Sequence, residues 1–122
     1  MKTLILTILM YTVAISKPDI VTATVYHAVP SQTNSDPEHT ASMFELDLKN
    51  PYKHRIIAVS RDLTKKYPMG TKVRIQGTGY YDGIYQVQDL MNKRWTGRID
   101  ILINQDMKLG KWKNVKLTKI KS

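Results

Sequence analysis

The sequence predicts a mainly β protein, a small barrel of six short strands with one or two short helices. Three observations predict it. Six runs rich in β-branched and apolar residues recur along the chain. Turn residues separate them. Only two stretches carry helix signals, and each is short. The 122 residues favour one domain.

The elements follow in order. Val21 to Val29 reads as the first strand, ended by Pro30. Ser31 to Thr40 is a turn-rich loop. Thr40 to Lys53 is open between strand, helix and irregular packing against the barrel, until Asn50-Pro51 breaks it. Arg55 to Ser60 is a continuous β-type run that suits a buried strand. Asp62 to Tyr67 fits one helical turn, capped by Ser60 or Asp62. Pro68-Met69-Gly70-Thr71 is a turn. Lys72 to Gln76 is a strand with Val73 and Ile75 inward. Gly77-Thr78-Gly79 and Asp82-Gly83 punctuate a hairpin-like connection. Tyr85 to Asp89 and Arg98 to Ile103 are strands around a polar loop. Asn104 is placed to cap a short helix, Gln105 to Leu109, closed by Gly110. Lys113 to Ile120 is the last strand.

Residues 1–16 read as a secretory signal peptide. Met1-Lys2 is a positive start, Thr3 to Ala14 is almost wholly apolar or small, and Ala14-Ile15-Ser16 is a small-x-small cleavage site. The other reading is an apolar N-terminal strand or buried helix. Cleavage leaves residues 17–122 as the barrel domain, secreted or periplasmic, with no transmembrane span in the mature chain. The expectation is a monomer. Cysteine is absent, so there is no disulfide framework and no thiolate metal site. His27 and His39 stand apart from any dense ligand cluster, so no metal and no cofactor is expected. No Gly-rich loop joins a strand to a long helix, and no nucleophile motif is present.

The formal net charge is +9. Such a field favours polyanions: cell-wall polymers, acidic lipids or nucleic acid. Nucleic acid rests on charge alone and is not expected as a partner. Lys108, Lys111, Lys113, Lys116, Lys119 and Lys121 crowd the end of the chain. Alternation explains them as the outer face of a final strand, blunted against edge pairing.

One residue resists a bland reading. Ile99, Ile101 and Ile103 share one strand face, and Arg98, Asp100 and Leu102 share the other. Carboxylates are depleted in strands and costly to desolvate, so Asp100 needs a reason. The reason offered is glycan chemistry at the mouth of the barrel.

Three local patterns coincide with that residue. Ile57-Ala58-Val59-Ser60-Arg61-Asp62 leads into Pro68-Met69-Gly70-Thr71-Lys72-Val73. Val87-Gln88-Asp89 follows. Gly97-Arg98-Ile99-Asp100 closes the series. In this order and spacing the chain resembles the three-aspartate (3D) domain, and is similar to rare lipoprotein A and to the catalytic barrel of membrane-bound lytic transglycosylase A. The resemblance implies a six-stranded double-psi β-barrel that cleaves peptidoglycan glycan strands without water, leaving a 1,6-anhydromuramic end. It implies Asp100 as acid and then base, with Asp89 and Asp62 as the earlier members of the catalytic series. Thr40-Ala41 resembles the family's Thr-Ala element and joins the substrate-binding set. Where those families carry a Gly-rich turn after the second aspartate, this chain has Leu90-Met91-Asn92. That departure supports the alternative, a non-catalytic glycan-binding barrel of a cell wall or a virion.

The chemistry sets conditions. An aspartate near 3.9 is a poor acid at neutrality, so Asp100 needs a pKa raised by roughly 1–3 units. Apolar neighbours and a second carboxylate both push that way. Ile99, Ile101 and Trp95 are placed to supply the first, and Asp89 the second, with Asp89 ionised. Trp95, Tyr26, Tyr80 and Tyr81 are candidates to stack on sugar, or core packing. Arg94 and Arg98 are candidates to meet stem-peptide carboxylates. Arg98 paired with Asp89 or Asp100 would instead lower the acid's pKa. Asp89 shares strand parity with core-facing Val87, so a bulge near Asp89-Leu90 has to re-aim it.

Overall fold

The computed structural model describes residues 17–28 and 39–121. The signal peptide expected at 1–16 and most of the loop expected from Ser31 to Thr40 lie outside the described residues. The strands are β1 (Asp19–His27), β2 (Ile56–Val59), β3 (Lys72–Gln76), β4 (Gly83–Leu90), β5 (Arg98–Ile103) and β6 (Lys111–Lys119). They close into a barrel in the order β1-β5-β2-β4-β3-β6. The β1–β5 and β2–β4 pairs are parallel and the other four are antiparallel. This closed mixed barrel is compatible with the double-psi arrangement. No helix among the described residues is long and apolar enough to cross a membrane.

Alternation builds the core. Val21, Ala23, Ile57, Val59, Val73, Ile75, Tyr85, Val87, Ile99, Ile101, Ile103, Val115 and Leu117 all point into the barrel and bury there. Every strand contributes, so the interior is filled from all sides. Each fully buried Ile or Val contributes about 1.5–3 kcal/mol. Truncating one such as Ile101 to Ala would cost about 2–5 kcal/mol, because the ring of strands limits collapse around the hole.

A second, smaller cluster lies on the outside of β1, β2 and β5. Tyr26, Ile56, Ala58 and Leu102 form it from the strands, and Leu46, Phe44, Met91 and Trp95 cover it. The segment from His39 to Asn50 therefore packs irregularly against the barrel wall, with a single bridge between His39 and Glu45. That is one of the three forms its sequence left open. β2 is buried on both faces for this reason, as its unbroken apolar run implied.

Three expectations are corrected. The helix at Gln105 to Leu109 does not form. Asn104 spends its side chain elsewhere, accepting from Tyr52 N at 2.9 Å and donating to Asn50 Oδ1 at 2.9 Å, so no cap remains for a helix. The turn after Ser60 shrinks to a 3-10 turn at Arg61–Leu63. Ser60 Oγ does not cap it; it accepts from Arg98 N at 3.0 Å. Finally, β6 is not an edge strand. It is paired on both sides, by β1 and by β3. Its lysines therefore protect no edge. A short 3-10 turn at Pro51–His54 also went unforeseen, although Pro at its start favours the conformation.

Candidate active site

The site is a row of side chains across four adjacent strands. Thr24 of β1 stands opposite Asp100 of β5. Asp100 stands opposite Ala58 of β2. Ala58 stands opposite Asp89 of β4. Since the isoleucines of β5 fill the barrel, Asp100 points out of it. The row therefore lies on the outer wall rather than at the mouth. Two strand spacings separate the aspartates, about 9–10 Å between Cα atoms. Between them sits an alanine, the smallest side chain in β2.

A bulge brings Asp89 to this face. The register pairs Ile57 with Val87 and then Ala58 with Asp89, so Gln88 is the extra residue. Val87 faces the core, and without the insertion Asp89 would follow it inward. Two residues against one turn Asp89 outward, at the start of the predicted Asp89-Leu90 irregularity. Bulges between parallel strands are rare, and this one places a functional candidate.

Asp89 is held from three sides. Its Oδ1 accepts from Ala41 N at 2.8 Å and from its neighbour Leu90 N at 2.9 Å. Its Oδ2 accepts from Tyr26 Oη at 2.9 Å. Three donors converging on one carboxylate suit an anion. Tyr26 starts on β1 and reaches across β5 and β2 to do this. Burial holds its phenol well above the ordinary range, and the charges of Asp89 and Asp100 push the same way. The tyrosine thus feels both carboxylates.

Asp100 is in a drier place. Burial is the main cause that raises its pKa from the ordinary 3.8 to about 6. The hydrogen bond from Thr24 Oγ1 to Oδ1, 2.9 Å, opposes the rise. The charge of Asp89 adds to it, and Arg98 subtracts. Burial prevails. Asp100 is still only half-buried, so solvent reaches one side of it.

Arg98 does not lock the acid. Its guanidinium carbon lies 4.1 Å from the Trp95 ring centroid, and that of Arg94 lies 4.9 Å away. Among the described residues no ion pair joins Arg98 to Asp89 or Asp100. Trp95 therefore has ring surface taken by guanidinium, which leaves less of it for a sugar.

The remaining candidates fall as follows. Thr40 is buried in the turn that aims Ala41 N. Its Oγ1 accepts from Phe44 N at 3.1 Å and meets Ser42 Oγ at 3.0 Å. Ser42 in turn reaches the bulge residue, with Oγ 2.9 Å from Gln88 O. Asp62 is exposed and accepts from Gly97 N at 3.0 Å, tying down the approach to β5. A hydrogen bond with Ser60 is the first reason its carboxyl is held below the usual range. Tyr81 is core, packed edge-on against Trp112 at 5.6 Å. Tyr80 is exposed on the Gly79 turn, away from the row. A separate cavity of about 260 Å³ lies elsewhere, lined by His54, Arg55, Lys72, Ile84, Tyr85 and Gln86. No group of three His, Asp or Glu suited to a metal lies among the described residues.

Sequence assigns no role to Thr24, Ala58, Ser42 or Gln88, and Ala41 enters only as half of the Thr40-Ala41 element. Thr24 was visible in part, since Thr22, Thr24 and Tyr26 share the outward parity of β1. Ala58, Ala41 and Gln88 act through backbone or small size, and Ser42 through a hydroxyl whose partner Gln88 lies 46 positions away, which leaves no local signal. The fold and site define a closed mixed β-barrel with an aspartate pair on its outer wall. Comparison with protein-family models, curated proteins and solved structures gives no match.

Proposed function

We propose that the protein is an extracytoplasmic, peptidoglycan-active enzyme that cleaves the glycan strand in the manner of a lytic transglycosylase. The resemblance of its ordered motifs to the three-aspartate and rare lipoprotein A barrels supports the reading. The observation that carries it is the row itself: an aspartate with pKa about 6 beside a second, firmly held aspartate across one alanine.

The chemistry follows from that pair. Protonated Asp100 gives its proton to the glycosidic oxygen as the C1–O bond breaks. Positive charge grows on C1 and the ring oxygen. The sugar's own 6-hydroxyl attacks C1 and Asp100, now a carboxylate, takes the hydroxyl proton. No water enters, and Asp100 ends protonated as it began. Asp89, fixed by Tyr26, Ala41 and Leu90, offers a preorganised negative charge to the developing cation or to a sugar hydroxyl. Thr24 orients Asp100.

Purified peptidoglycan digested with the protein and analysed by mass spectrometry should give anhydro-ended muropeptides, absent with Asp100→Asn. Water-terminated products, or unchanged output from that variant, would exclude the mechanism.

One observation favours a second reading. Met91, where the related families place glycine, is buried in the outer cluster and packs down beside the row. A site so filled suits gripping a glycan strand without cutting it. Sedimentation with peptidoglycan and no released fragment would support this binding module.

A further inference from the structure

The site row uses β1, β5, β2 and β4. The other two strands of the closed barrel, β3 and β6, lie side by side on the remaining wall. Their sequences, KVRIQ and KWKNVKLTK, contain no acid. Lys72, Arg74 and Gln76 are exposed on β3, and Lys111, Lys113 and Lys116 on β6. Gln76 pairs with Lys116 and Arg74 with Thr118, which joins the cations of β3 to Lys116, while Lys111 stands opposite Thr24 at the border of the aspartate row. Among the described residues the ion pairs are Lys53–Asp47 and Lys66–Asp19, and neither engages this field.

Same-face residues repeat about every 6.7 Å along a strand, and strands lie about 4.8 Å apart. Both spacings fall within the Debye length of about 8 Å at physiological salt. The charges therefore repel one another, only partly screened by salt, and the nearest acid, Asp82, is turned to the backbone of Gly77 and Thr78. Edge protection is no reason for them, since β6 has a partner on each side. The cavity of about 260 Å³ adjoins the field through Lys72 and Ile84, and adds Arg55 and His54 with no acid.

We propose that β3 and β6 form a docking face for a flexible anionic polymer that carries no bases. The face is the outside of a barrel, hence convex. A flexible chain drapes over it, whereas a stiff duplex meets few of its cations. No aromatic ring stands among the outward residues of either strand; Trp112 packs against the core. The strands themselves therefore offer no platform for base stacking, and the exposed Tyr80 on the turn after β3 is a single ring. The outward side chains are polar or charged, and the exposed apolar neighbours Ile20 and Ile84 sit on flanking strands, too few for a membrane-inserting surface. Bound this way, the polymer leaves the aspartate row on the other strands open. The inference does not depend on the glycan reading.

The test is binding of the full chain to long-chain inorganic polyphosphate, measured by fluorescence anisotropy across a salt series. Affinity should fall steeply with salt. Arg74→Gln/Lys113→Gln/Lys116→Gln should bind about 10- to 100-fold more weakly at 0.1 M salt, with a slope shallower by about 2. The charge-matched control Lys49→Gln/Arg61→Gln/Lys65→Gln should stay within about threefold of the parent. Thermal melts of both variants confirm folding, and the parent's salt slope stands as a test needing no variant. Absence of polyphosphate binding overturns the proposal. So does equal loss in the control, or tighter binding to oligo(dT) or to anionic phospholipid vesicles.

Discussion

Replacing Asp100 with Asn should make the protein more stable and, on the proposed mechanism, inactive. The magnitude follows from the pKa of about 6 against an ordinary 3.8. Each unit is worth about 1.4 kcal/mol, so ionising Asp100 in the fold costs about 3 kcal/mol. The sign is fixed by proton linkage. Well below pH 3.8 the carboxyl is protonated folded and unfolded, and contributes nothing to pH dependence. Between pH 4 and 6 the unfolded chain gives up a proton that the fold retains, so raising the pH favours unfolding. Above pH 6 the full penalty stands. Asparagine has no charge to desolvate, and its amide oxygen still accepts from Thr24. The variant's advantage should therefore be about 0.5 kcal/mol at pH 4 and grow to about 3 kcal/mol by pH 7.5, or about 10–15 °C in Tm for a domain of this size. Paired thermal melts of parent and variant from pH 4 to 8 read this difference directly. A variant equally stable or weaker at pH 7.5, or a gap that does not change with pH, would refute the claim that Asp100 sits in a desolvating site.

Three further outcomes are expected. Glycan cleavage by the parent should decline as pH rises through about 6, where Asp100 loses the proton it donates; a pH profile of initial rates checks it, and a flat profile from pH 5 to 8 removes Asp100 as the acid. Tyr26→Phe deletes one of the donors to Asp89 and should cost about 1.5–3 kcal/mol in denaturant melts, with activity down at least about tenfold. Ala58→Val crowds the space between the carboxyls; it should destabilise by about 1–3 kcal/mol and, by drying Asp100 further, move the decline in rate to higher pH.

How much of this was legible in the chain depends on how far each feature reaches. Strand parity sufficed to flag Asp100, because its isoleucine neighbours are adjacent in sequence. Parity also exposed the difficulty with Asp89 and required a bulge, and the bulge is there. The short helix after Asn104 failed for a nonlocal reason: a residue 52 positions away had already engaged the capping side chain. Tyr26 was visible only as an aromatic, since its partner Asp89 lies 63 positions on.

The chain by itself determined which residues alternate into a core, that six strands would share it, and that one aspartate would be placed against apolar neighbours. These are local properties, set by side-chain chemistry and a two-residue period. Only the tertiary structure decided that Asp89 and Asp100 share a wall with Ala58 between them. It also decided that the lysine-rich last strand is enclosed by partners. Register and closure arise from pairing between distant segments, and the energy of that pairing is not written in any one of them.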